Sequence, residues 1–136
     1  HEGICVIDLD TTMPGLAIND FGDSIRFGAN HCLEDEQDLS KVKFDISLYE
    51  VFTRSFLEGA RGSLTSAELE YLPWGARLMT LECGIRFLTD YLDGDRYFHV
   101  SHPRQNLDRA RTQLKLVKDM EEQFDAMGVV VVKYAK

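Results

Sequence analysis

Residues Ile4 to Asn30, ICVIDLDTTMPGLAINDFGDSIRFGAN, place an apolar run, an acidic end and a turn in immediate succession. Ile4, Cys5, Val6, Ile7 and Leu9 are β-branched or apolar, the composition of a strand buried on both faces. Thr11, Thr12, Pro14 and Gly15 supply the turn that stops it. Side chains alternate along a strand, so Asp8 and Asp10 fall on one face and Leu9 on the other. Burying an unpaired carboxylate costs on the order of several kcal/mol, so acids ending such a strand point to a cation, to donors or to water. Two carboxylates on one side suit a hard divalent cation. After the turn, Asn19 and Asp20 are good helix-capping residues, and Asp20-x-x-Asp23 puts a second acid in the first turn of a helix predicted over Phe21 to Gly28.

The remainder reads as helices. Asp45 caps a helix over Ile46 to Ala60, with Leu48, Phe52 and Phe56 on one face and Gly59 and Gly62 at its end. Thr65-x-x-Glu68 is a capping-box pattern that opens a short helix through Tyr71, and Pro73 begins the next. From Trp74 to Asp93, Leu78, Leu81, Ile85, Leu88 and Leu92 recur at threes and fours, broadened by Met79, Cys83, Phe87 and Tyr91, which predicts a helix buried on most sides. Gly84 inside it implies close packing against a neighbouring helix. Arg86, between Ile85 and Phe87, either reaches the helix edge or meets an anion. Asn106 caps a last long helix whose stripe runs from Leu107 through Ala110, Leu114, Val117, Met120 and Phe124 to Met127, with Arg109 on the solvated side. Val129 to Val132 either extend that helix or cross over as a strand.

Composition narrows the function. The net charge of −8 leaves no basic stripe for nucleic acid. Three widely spaced cysteines fit reduced thiols better than a disulfide framework, which points to the cytoplasm. No apolar run reaches the roughly 18 residues of a membrane span. His31 beside Cys32 lacks a second ligand pair at metal spacing, and His99 and His102 are not spaced like the paired histidines of zinc hydrolases; both pairs read as surface residues.

The stretches VIDLDTTMPG and NDFGDSIRFGA, with the later LECGIRFLTDYLDGD and NLDRARTQ, resemble the aminoglycoside phosphotransferase and choline kinase superfamily. Within it the N-acetylhexosamine 1-kinase group is the nearest likeness, and the resemblance runs over nearly the whole chain. It implies a mainly α fold: the C-terminal lobe portion of a protein-kinase-like architecture, with a short N-terminal β-strand at residues 4–10 and a helical subdomain at residues 11–136. By that likeness Asp8 holds magnesium, and Asp20 is the acid that caps the following helix and ties it to the catalytic loop. Arg86 and Tyr97 bind the sugar, since guanidinium and phenol both hydrogen-bond hydroxyl or acetamido oxygens. Asp10 departs from the Gly that follows Phe in protein kinases and takes no role from the resemblance.

The likeness also implies parts that these residues do not contain. A phosphate-covering loop, a nucleotide-binding Lys with its Glu partner and a His-x-Asp-x-x-x-x-Asn loop are all absent from the sequence. The expectation is therefore a C-terminal piece of a longer kinase, inactive alone, whose full-length form uses ATP and Mg2+ to phosphorylate the anomeric hydroxyl of an N-acetylhexosamine. Ile4 to Leu9, lacking its partner strand, is then expected to drive self-association. Two alternatives stay open: a kinase of the same superfamily acting on choline, an amino acid or an aminoglycoside, and a helical interaction domain without catalysis.

Overall fold

The computed structural model describes residues 3, 5, 7, 9, 10 and 12–135. Five helices follow one another among them: α1 (Ala17–Gly28), α2 (Ile46–Ala60), α3 (Ser66–Leu92), α4 (Gln105–Glu122) and α5 (Phe124–Tyr134). The fold is mainly helical, as the periodicity predicts. Helix α3 is the axis, with α1 and α4 packed along it and α2 lying on α5. Among the described residues no helix is long and apolar enough to cross a membrane.

The core forms where α1, α2 and the extended segment between them meet α3 and α5. Phe21 and Ile25, one helical turn apart on α1, are buried with Tyr49 of α2 and with Val42 and Phe44. Phe21 meets Tyr49 edge-on at 5.9 Å between ring centres, and Phe44 meets Tyr49 at 5.7 Å. Helices α1 and α3 approach almost backbone to backbone. A Cβ on Gly22 would stand 2.3 Å from the Gly75 carbonyl oxygen, and one on Gly75 would stand 2.4 Å from that of Ile18. Gly84 does the same for α4, a Cβ there falling 3.1 Å from the Cβ of Gln113, which accounts for the glycine inside the long helix.

Some sequence expectations fall outside the described residues and others need correction. No strand is present among the described residues. Ile7 and Leu9 are 77% and 61% exposed. The strand expected at residues 4–10 and the magnesium role expected of Asp8 fall in part outside the described residues, which leave out Ile4, Val6 and Asp8. Helix α1 begins at Ala17 with Leu16 at its cap position, so Asp20 sits in the first helical turn and does not cap the helix. Pro73 opens no new helix: α3 runs unbroken through it, with Leu72, Pro73, Gly75 and Ala76 all buried. Tertiary burial on both sides of the proline offsets the lost N–H.

The buried face of α3 is also not the leucine stripe. Leu78, Ile85 and Leu92 are exposed, while Leu72, Ala76, Thr80, Gly84 and Phe87 face the neighbours. Small residues let α1 and α4 come close, and that fixes which face turns inward. Asn106 lies inside α4, whose cap position is Arg104. Gln123 breaks the expected single stripe, and Val129 to Val132 are helical within α5. The caps of α2 and α3 match the expectation. Asp45 Oδ1 accepts from the Ser47 and Leu48 N–H groups, and Thr65 and Glu68 form a reciprocal capping box.

Candidate functional site

A cleft of about 730 Å³ opens where α1, α3, the loop after α3 and the start of α4 converge. Asp20, Asp23 and Arg26 reach it from α1, Glu82, Arg86 and Phe87 from α3, and Arg109 from α4. Helical spacing explains the set: Asp23 and Arg26 are three apart on α1, and Glu82 and Arg86 four apart on α3, so each pair shares a face. The close α1–α3 crossing at Gly22 and Gly75 lets α1 present this edge to α3.

The guanidinium groups lining the cleft differ in how completely they are used. Arg26 donates to Asp23 at 2.8 Å and to Glu34 at 2.6 Å. Burial alone would lower its pKa, and the hydrogen bonds and charges around it more than offset that, so it is held raised. Arg109 donates to the His99 carbonyl at 3.1 Å and to Asn106 Oδ1 at 2.9 Å, and stacks over Phe87. Arg86 has only long contacts, 3.7 Å to Glu82 and 3.4 Å to the Tyr97 hydroxyl, and its side chain is 48% exposed. Its guanidinium also lies over the rings of Tyr97 and Phe98, at 5.6 and 5.4 Å. This is a cation stacked over two rings and joined to its polar neighbours only by long contacts.

Arg86 and Phe98 also line a second cleft of about 340 Å³, whose walls include Ile85, Thr89 and Tyr97. The two residues therefore form a wall between two adjoining recesses. Tyr97 is 74% exposed and meets Phe98 edge-on at 4.8 Å. A phenol and a guanidinium with free donors, beside an exposed aromatic face, can hydrogen-bond a polyol and cover the apolar side of its ring.

The structure thus brings Arg86 and Tyr97 together, with Asp20 lining the larger cleft and Tyr97 the smaller one, Arg86 being common to both. Among the described residues no three His, Cys, Asp or Glu side chains converge to hold a metal ion. His31 turns to Asp45 at 2.9 Å, and the Cys32 thiol turns to the Lys41 carbonyl, so that pair shares no ligand position.

Three residues of the site escape sequence reading. Arg109 is drawn into the cleft floor and not out to solvent. Asn106 is fully buried, with its side-chain amide donating to Asp90 and Asp95 at 2.9 Å each. Asp90 is a buried carboxylate near the C-terminal end of α3. That position is its signal, since the helix dipole disfavours an acid there unless other donors compensate. No protein-family model matches the chain.

Proposed function

We propose that this chain is the helical C-terminal part of a protein-kinase-like phosphotransferase that transfers a phosphoryl group from ATP to the anomeric hydroxyl of an N-acetylhexosamine. The observation that carries the reading is the incompletely paired Arg86 stacked beside the exposed Tyr97, at the edge of the cleft that Asp20 also lines. In this reading Arg86 hydrogen-bonds acetamido or hydroxyl oxygens, and Tyr97 supplies a phenol and an aromatic face. Positioning of this kind is the main lever in phosphoryl transfer, where little covalent chemistry falls to the protein. Asp8 is the residue this reading assigns to the magnesium that accompanies ATP. The cytoplasm is the compartment this reading implies.

The test is a 31P NMR assay of the full-length protein with magnesium-ATP and a panel of acceptors. A 1-phosphate formed on N-acetylglucosamine or N-acetylgalactosamine is the expected result. A second reading draws on the acids Asp20, Asp23, Glu34 and Glu82 around the cleft, which suit a cationic acceptor such as an amino alcohol or an aminoglycoside. Turnover of those acceptors alone would select it, and turnover of none would remove both.

A further inference from the structure

Asp90 is 6% exposed, yet all its visible partners are donors. Oδ1 accepts from the backbone N–H groups of Arg96 at 2.9 Å and Tyr97 at 2.8 Å. Oδ2 accepts from the N–H of Phe98 at 2.9 Å and from the Asn106 side-chain amide at 2.9 Å. Three successive amides can aim at one carboxylate because the chain reverses through Gly94 and Asp95, both with positive φ (88° and 55°). The Asp95 N–H returns to the Asp90 carbonyl at 2.8 Å, closing the helix end onto the same residue. Tyr97 itself is largely in solvent, so its ring is not held by burial; what fixes its backbone is this carboxylate.

We propose that Asp90 is a positioning residue for the Arg86–Tyr97 subsite, clamping the backbone of residues 96–98 so that the Tyr97 phenol stays beside the Arg86 guanidinium. The assignment rests on the sugar-kinase reading and adds to it the group that pre-organises the binding pair. A carboxylate suits the role, because both oxygens are acceptor-only and four donors converge on them. An amide of the same shape would turn its own NH2 toward N–H groups and release part of the loop. Supporting groups behind a contact residue commonly decide whether the contact is made at the right distance.

The experiment measures KM and kcat for the N-acetylhexosamine in the full-length enzyme, as wild type, Asp90→Asn, Tyr97→Phe and the double variant. Amide hydrogen exchange at residues 96–98 is read alongside. Asp90→Asn is expected to raise KM about tenfold with a smaller change in kcat, and to speed exchange at those amides. Because Asp90 acts through Tyr97, the double variant should lose no more than the worse single variant. An unchanged KM in Asp90→Asn, or losses that multiply in the double variant, overturns the assignment. If Asp90→Asn fails to fold, Asn106→Ser removes one donor instead; a KM raised about threefold and non-additive with Tyr97→Phe supports the clamp, and an unchanged KM overturns it. A wild type that phosphorylates no N-acetylhexosamine defeats the sugar-kinase reading itself, whereas failure of the Asp90 assignment is seen only in an active wild type.

Discussion

The Arg86 guanidinium stands 3.4 Å from the Tyr97 hydroxyl, the two residues being joined across the end of α3 by a tight reversal. Both are solvent-accessible, so neither contributes much to the core, and their pairing is a property of the cleft. Arg86→Ala is therefore expected to leave the melting temperature nearly unchanged and, on the sugar-kinase reading proposed above, to weaken N-acetylhexosamine use by about 1–2 kcal/mol in transition-state stabilisation. Arg86→Lys should not restore it, because a point charge replaces a planar fork. Steady-state kinetics beside thermal melts check both. A large loss of stability with normal sugar use in the folded fraction would make Arg86 a structural residue.

Acid should release the loop that carries Tyr97. Burial pushes the Asp90 carboxyl up, and the N–H groups of Phe98, Tyr97 and Arg96 with the Asn106 amide more than offset it, so it titrates below the usual carboxylate range. A depressed folded-state value contributes stability above the unfolded value of about 3.9, and that contribution is lost as pH falls through the lower, folded value. Chemical shifts of amides 96–98 are expected to hold constant down to about pH 4 and to move only in stronger acid. The Asp90→Asn protein should lack that transition. Movement of these amides near neutral pH would contradict the assigned direction.

Glycine substitutions should change stability in opposite directions depending on position. Gly22→Ala and Gly75→Ala push a methyl into opposing backbone, which cannot yield as a flexible side chain can, and each should destabilise by about 1–3 kcal/mol. Gly59 and Gly128, in α2 and α5, have open space where a Cβ would go. There alanine should stabilise by up to about 1 kcal/mol through helix propensity. Urea unfolding of the four variants tests the α1–α3 crossing directly; a neutral Gly22→Ala would mean that the helices can separate without penalty.

These contrasts also show what is readable in such a sequence. Asp45 and the Thr65–Glu68 box are legible because their partners lie two or three residues away and the geometry is local. The inward face of α3 is not, since Ala76, Thr80 and Gly84 carry little hydrophobic signal and are buried for their small size. Leu78, Ile85 and Leu92 carry the signal and lie outside. Asn106 has the chemistry of a cap and is spent instead on Asp90, sixteen residues back in the chain. Arg86 and Tyr97 emerge from the resemblance, but the groups that hold the loop behind them depend on a tertiary reversal at Gly94 and Asp95 that no periodicity announces.

Cys83 offers a reporter of what enters the cleft. Its thiol lines the same recess as Arg86 and Glu82, and burial raises its pKa despite the nearby Arg26. The thiolate is the reactive form, so Cys83 should alkylate slowly with iodoacetamide at neutral pH, whereas Cys5 is exposed and should react faster. A ligand seated against Arg86 would cover Cys83 and leave Cys5 open. Saturating N-acetylglucosamine is therefore expected to slow modification of Cys83 several-fold, roughly in proportion to occupancy, without changing the rate at Cys5. Peptide mass spectrometry after timed labelling reads both sites in one sample. Equal slowing at the two cysteines would point to a reagent effect, and no slowing at Cys83 under conditions where the full-length enzyme turns over would place the sugar elsewhere than in this cleft.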